Sequence, residues 1–181
     1  MPRCKCCKDK FESKHFNQKF CLVKGKCLLS QVEYSKEMQR KAWRKDKKKR
    51  KEALKTRGDY LNELQTLVNR YTRLRDKGQP CISCGTTKQT IKYDAGHYYS
   101  VGAYPNMRFK LDNIHRQCYK CNRELSGNPI EYRPRLIEKI GVVRFNHLDK
   151  IKNEPLKLSI EEIQDQKKIF RAKIKEIKLA C

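Results

Sequence analysis

Apolar residues recur at helical spacing in two stretches of the chain. Leu61, Leu64, Leu67, Val68, Tyr71 and Leu74 share one face of a 3.6-residue period, which predicts an amphipathic helix ending near Gly78. This helix leads straight into Cys81 and is expected to pack against whatever the central cysteines build, with Tyr71 in the core. Ile160, Ile163, Phe170, Ile174 and Ile177 form the second stripe, and Ser159 with Glu162 makes a capping box at its start. Its default role is packing or dimerisation, and nothing in it is catalytic. Between the two lies "TIKYDAGHYYS", whose alternation of small, β-branched and aromatic residues predicts a short strand or hairpin.

A third stretch inverts the pattern. Residues 36–57 carry twelve Lys or Arg against three acids, and only Met38, Ala42, Trp43, Ala53 and Leu54 are apolar. With no Pro or Gly, the stretch predicts an exposed basic helix, for which Ser30 and Glu33 offer a capping box at the start. Its neighbour is either phosphate or solvent. Lys47, Lys48, Lys49, Arg50 and Lys51 are the densest run and the candidate nucleic-acid contacts. Trp43 could stack on an unpaired base or simply pack, whereas Tyr98 and Tyr99 suit packing in the hairpin.

Composition sharpens this picture. The 181 residues suit one modest domain, or a small core with helical arms; 38% are hydrophobic and 35% charged, so part of the chain must stay solvated. A formal net charge of +24 is self-repulsive and expects a polyanion. No apolar run approaches the ~18 residues of a membrane span, and the opening "MPRCKCC" lacks an apolar signal-peptide core. Nucleic acid in the cytosol is therefore the expected partner, not a membrane.

In a reducing compartment the ten cysteines point to metal more than to disulfides. Cys81-x-x-Cys84 and Cys118-x-x-Cys121 are two knuckles that together complete a tetrahedral, closed, structural zinc site. The 33 residues between the knuckles exceed the roughly 15–20 of a simple zinc ribbon, so they hold an inserted structure. Cys4, Cys7, Cys21 and Cys27 form a second set, in which Cys6 could compete and His15 could substitute. Residues 1–29 have almost no apolar stripe, so a second Zn²⁺ is their expected core. Cys6 and Cys181 are left over.

The insert brings His97 and Asn113 towards one another, and a helix is expected to start beside Cys118 and Asn122. A lone His97 would be a hydrogen-bonded structural residue and a lone Asn113 a turn; set between two metal knuckles, both become site candidates. Asn122 reads equally as a helix cap or a metal-site residue.

Cys81-x2-Cys84, "AGH" at 95–97, Asn113 and Cys118-x2-Cys121-Asn122 resemble the zinc-bound branch of the HNH, or ββα-metal, endonucleases. Together with the Cys-rich N-terminus and the basic helix, "DAGHYYS" and "RFKLDNIHRQCYKCN" resemble the NinG (Rap) recombination proteins of lambdoid phages over nearly the whole chain. The resemblance implies that His97 is a general base taking a proton from water, that Asn113 orients the histidine-bearing loop, and that Asn122 helps hold a catalytic Mg²⁺ or Mn²⁺. Where the usual pattern has an acid directly before the histidine, this chain has Gly96. Asp94 would supply the carboxylate if the strand bends at Ala95 and Gly96, and His115 is the spare candidate for that role.

The expected fold is α+β: an N-terminal zinc unit (1–29), a basic helical region (30–78), an HNH-like zinc and catalytic core (79–130) and C-terminal helices (131–181). The implied function is metal-dependent cleavage of branched DNA, such as Holliday junctions or D-loops, in the cytoplasm of an infected bacterial host. The alternative is a non-catalytic zinc-stapled DNA or RNA binder. A homodimer, with the 159–179 helix as one possible interface, would suit symmetric cutting of a four-way junction.

Overall fold

The structure, a computed structural model, describes residues 1–179, so the leftover Cys181 lies outside the described residues. The chain divides into two compact units, Met1–Lys55 and Thr56 onward. No helix among the described residues is long and apolar enough to cross a membrane.

In the first unit a small cluster of Cys4, Phe11, Phe20 and Cys27 is buried, so two phenylalanines share the interior with the thiols. Helix α1 then runs from Gly25 to Ala53. It starts earlier than the Ser30 capping box predicts and passes through the expected boundary at residues 29 and 30. Cys27 must be delivered to the thiol cluster, and the extended Lys24 caps the first turn instead. Ser30 sits inside the helix, where its hydroxyl donates to the Lys26 carbonyl at 3.0 Å. Beyond Cys27 no residue of α1 is buried, as the charge pattern requires. The pairs Lys41 with Glu37 and Arg50 with Asp46 lie one turn apart on the solvent-exposed helix, where water and salt screen them. Lys47 to Lys51 are all exposed, and the Lys47 ammonium sits 4.8 Å above the half-open Trp43 ring.

In the second unit, helix α2 (Arg57–Arg75) opens on a capping box of Thr56 and Asp59, so Gly58 falls inside the first turn. Its apolar face meets helix α5 (Ile160–Leu179) and one face of a two-stranded antiparallel sheet, β1 (Tyr93–His97) and β2 (Ile114–Cys118). Tyr60, Leu61, Leu64, Val68, Ala95, Ile114, Ile163 and Phe170 form this core, with Tyr71 edge-on to Phe170 at 5.5 Å. The Ser159 and Glu162 capping box of α5 is present in both directions, at 2.7 and 3.1 Å. Because Ile163, Phe170 and Ile174 are buried within the chain, the α5 stripe is not a free dimerisation face.

A second core lies on the other side of the sheet. Helices α3 (Pro129–Ile140) and α4 (Val142–Ile151) supply Tyr132, Leu136, Ile140, Phe145 and Leu148, which pack with Ile82 and Met107. Tyr98 and Tyr99 pack against this cluster, as expected. The helix expected beside Cys118 and Asn122 is instead a single wide turn, Lys120–Glu124. The knuckle itself consumes that turn, with Gly127 N–H closing on the Cys121 carbonyl at 2.9 Å. Ser126, Gly127 and Asn128 then all adopt positive φ and reverse the chain before α3 can begin at Pro129. The result is an α+β protein whose only sheet among the described residues has two strands.

Candidate active site and metal centres

Both predicted cysteine sets converge. Cys4, Cys7, Cys21 and Cys27, and separately Cys81, Cys84, Cys118 and Cys121, bring four sulfurs within 4.8 Å of one another. Cys4 to Cys27, Cys7 to Cys21 and Cys84 to Cys118 are each 3.8 Å apart. A tetrahedron with Zn–S bonds of about 2.3 Å has edges of roughly 3.8 Å, whereas a disulfide would need about 2.05 Å. Each set can therefore hold a zinc ion. Cys6 Sγ lies outside the first set and faces the Ser30 hydroxyl at 3.3 Å; the exposed His15 is also excluded.

The electrostatics of the thiols agree. At Cys4, backbone N–H groups of Cys7, Cys21 and Cys6 outweigh burial and bring the thiol down to about 6. Burial, with Cys118 and Cys84 close by, pushes Cys121 up to about 12. Four crowded thiols cannot all ionise unless a cation absorbs their charge.

The second zinc set anchors the hairpin. Cys118 closes β2, its N–H donates to Cys81 Sγ at 3.3 Å, and Ile82 N–H donates to the Arg116 carbonyl at 3.0 Å. Strand pairing runs without a break from Tyr93 opposite Cys118 to His97 opposite Ile114. Side chains alternate along β1, so Tyr93, Ala95 and His97 share one face, while Asp94 and Gly96 share the other.

Asn113, fully buried, brackets the loop that follows His97. Its Nδ2 donates to the carbonyls of Tyr99 and Met107 at 3.0 and 3.1 Å, and its Oδ1 accepts from Tyr99 N–H at 2.8 Å. Three of its four hydrogen-bonding positions are spent on holding residues 99 and 107 in place. His97 faces α2, with Nε2 3.2 Å from the Arg108 carbonyl and 3.4 Å from Gln65 Nε2. The Arg108 carbonyl calls for a proton on Nε2 while the Gln65 amide N–H at the same nitrogen calls for a lone pair; the shorter contact, to the carbonyl, favours Nε2–H with the lone pair on Nδ1. Burial lowers the His97 pKa below its usual range against the pull of the Arg108 and Ala95 carbonyls, and the imidazole is neutral at neutral pH.

Asp94 stands apart from His97. The bend at Ala95 and Gly96 that would bring them together is absent, and Asp94 Oδ2 instead accepts from Asn122 Nδ2 at 3.2 Å, with Arg123 Nε at 3.5 Å. Asn122 lies inside the Lys120–Glu124 turn, so it does not cap a helix. The reason for Gly96 is steric. A Cβ there would stand 2.0 Å from Oε1 of Gln117, whose amide crosses the strand to donate to Ser83 Oγ at 2.7 Å and the Gly127 carbonyl at 2.6 Å. Gln117, unnoticed in the sequence, thus fills the space an acid at position 96 would occupy and ties the two knuckles together.

His115 is not on the rim of the site. It is 3% exposed, with Nε2 donating to the Asp112 carbonyl at 3.0 Å and Nδ1 accepting from Arg75 at 3.2 Å. Burial, then the nearby charges of Lys139 and Arg75, push its pKa down to about 4. Asp76, 1% exposed, explains the arrangement: Arg75 binds it at 2.7 and 2.9 Å, and Arg116 N–H donates to it at 3.0 Å. This carboxylate fastens the end of α2 to β2. Asp76→Ala leaves Arg75 uncompensated in a buried setting and is expected to cost about 3–5 kcal/mol, read as a lower denaturant midpoint with zinc content unchanged. A midpoint equal to the parent's would show that the anchor is dispensable.

Among the described residues, no group of three or more His, Cys, Asp or Glu converges besides the two thiol sets. Fold and site together define a basic two-strand protein with two four-thiol sets able to hold zinc and a buried asparagine that brackets the loop after a histidine. The family model described as "NinG: Bacteriophage Lambda NinG protein" matches residues 1–179. Protein ninG of Escherichia phage 933W is 36% identical over 189 residues, covering 97% of this chain and 93% of that protein. Protein ninG of Escherichia phage lambda is 40% identical over 129 residues, covering 71% and 62% respectively, and that of Salmonella phage P22 is 39% identical over a similar span. The chain belongs to the NinG family of phage proteins. No solved structure matches it.

Proposed function

We propose that this chain is a metal-dependent endonuclease acting on branched DNA, such as Holliday junctions and D-loops, during phage recombination in the host cytoplasm. The observation that carries this reading is the pairing of a buried Asn113 bracket with a neutral His97 whose Nε2–H is committed to the Arg108 carbonyl. That arrangement leaves Nδ1 as a proton acceptor of fixed direction. In the reaction a water oxygen attacks phosphorus and its proton passes to His97 Nδ1. The bond from phosphorus to the departing sugar oxygen breaks, and that oxygen takes a proton from solvent. The Ala95 carbonyl favours the imidazolium so formed.

Asp94 and Asn122 are the residues that would hold the divalent ion. Asp94 lies on the face of the strand opposite His97, so an ion there would reach the same phosphate only if the strand bends at Ala95 and Gly96. The 3.2 Å contact runs from Asn122 Nδ2 to Asp94 Oδ2, so the amide must turn its oxygen inward before the pair can offer oxygens to Mg²⁺ or Mn²⁺, hard ions that keep several waters and need few protein oxygens. Such an ion, when bound, supplies positive charge to the phosphate and the departing oxygen. Lys47 to Lys51 on α1 meet backbone phosphates, so recognition rests on DNA shape more than on sequence.

One observation favours the non-catalytic alternative: Asp94 and Asn122 already satisfy one another, and Arg123 lies beside the carboxylate. Purified protein incubated with four-way junctions and with linear duplex, with and without Mg²⁺ or Mn²⁺, separates the two. Cutting of the junction only with a divalent ion is expected. Tight junction binding without cutting in any ion would assign the protein to the binders.

A further inference from the structure

Arg108 is a half-buried cation beside His97 that lacks an acid; Arg116 also lacks one, but its guanidinium is buried over the Tyr93 ring and against the Asp76 carbonyl. Arg75 is paired with Asp76, Arg144 with Asp112, and Arg123 with Asp94. Arg108 instead donates from Nε to Gln65 Oε1 at 2.9 Å and from Nη2 to Asn62 Oδ1 at 2.6 Å, and no carboxylate meets it among the described residues. Both acceptors are neutral amides on α2. They fix the direction of the guanidinium without cancelling its charge, and of its five N–H donors three remain for another partner.

The position is coupled to the imidazole twice. The Arg108 carbonyl takes the His97 Nε2–H, and Gln65 touches both residues, accepting from Arg108 while its Nε2 lies 3.4 Å from His97. Gln65 is held in turn by donating to Asn69 Oδ1 at 2.6 Å. An unneutralised, aimed and partly desolvated guanidinium beside a neutral imidazole is an anion site, and a chain of net charge +24 draws polyphosphates above other anions.

We propose that Arg108 binds a phosphodiester oxygen of DNA next to His97, with Gln65 and Asn62 of α2 acting as its positioning residues. This rests on the reading of His97 given above and adds the group that seats the phosphate. The competing role is purely structural, a tie between α2 and the turn at residues 105–109.

The test uses the full zinc-loaded chain in two measurements. In the first, the four histidines (15, 97, 115 and 147) are followed by nitrogen NMR while a short DNA duplex is added without Mg²⁺ or Mn²⁺, so that nothing is cut. The His97 resonances of the parent are expected to move, whereas in Arg108→Gln they stay while other DNA-induced shifts persist. An unmoved His97 in the parent, or an equal movement in Arg108→Gln, overturns the proposal. In the second, Arg108→Gln is expected to lower the cleavage rate at saturating junction about a hundred-fold, as for loss of one donor to a developing charge, with affinity changed only a few-fold. Arg108→Lys should recover part of the rate. Arg108→Gln cutting at the parental rate also overturns the proposal while leaving the nuclease reading intact. If the parent never cuts, that reading fails, and the histidine measurement still decides the phosphate site.

Discussion

Cys118→Ala is expected to lose the metal of its own set and the fold of the second unit together. Cys118 ends β2, pairs with Tyr93 across the sheet and lies 3.8 Å from Cys84 Sγ. Removing it opens the closure that holds both knuckles, and the hairpin carrying His97 and Asn113 has only five pairs to stand on. Structural zinc contributes roughly 10–16 kcal/mol in small sites, comparable to or above the roughly 5–15 kcal/mol of total stability of a typical domain. Elemental analysis should give two zinc ions per parent chain and one per variant, with the variant's near-ultraviolet circular dichroism collapsed. A variant that keeps two zinc ions and melts like the parent would refute the staple.

His97→Ala should do the opposite. It removes neither a zinc ligand nor a member of the buried cores, so zinc content, melting and junction affinity should persist while cleavage falls about a hundred- to ten-thousand-fold. The pH dependence carries a sign. Burial favours neutral His97 in the folded protein, so the base stays competent below its ordinary pKa of about 6.5, and the acid limb of the rate profile should fall on the acid side of that value. A variant that cuts as fast as the parent would remove His97 from the mechanism.

What the sequence disclosed and what it hid divide along physical lines. Thiol spacing marks a metal set because four ligands must meet at one point, and both sets met. The stripe of α5 and its Ser159 cap were legible because periodicity and caps are local. The start of α1 was not, since delivery of Cys27 to its thiol set overrode the Ser30 signal. Gln117 and Asp76 were invisible because their importance comes from where they are buried: one crosses Gly96, the other receives two arginines from different elements. The placement of Asp94 opposite His97 depended on whether a two-residue stretch bends, and strand pairing through Gly96 kept it straight.

The clasp between α2 and α5 has a consequence for how the protein is made. Arg57 donates to the carbonyls of Leu158 and Leu156, and Lys167 pairs with Glu63 across 104 residues of chain. At a synthesis rate of about 5–20 residues per second, the apolar face of α2 leaves the ribosome roughly 5–20 seconds before its cover exists. During that interval Leu61, Leu64 and Val68 have only the hairpin to shelter them, and the hairpin in turn waits for Cys121 to complete its thiol set. Synthesis of α5 therefore sets how long this apolar face stays uncovered in the nascent chain, and the hairpin that shelters it meanwhile is only as firm as the closure of its thiol set.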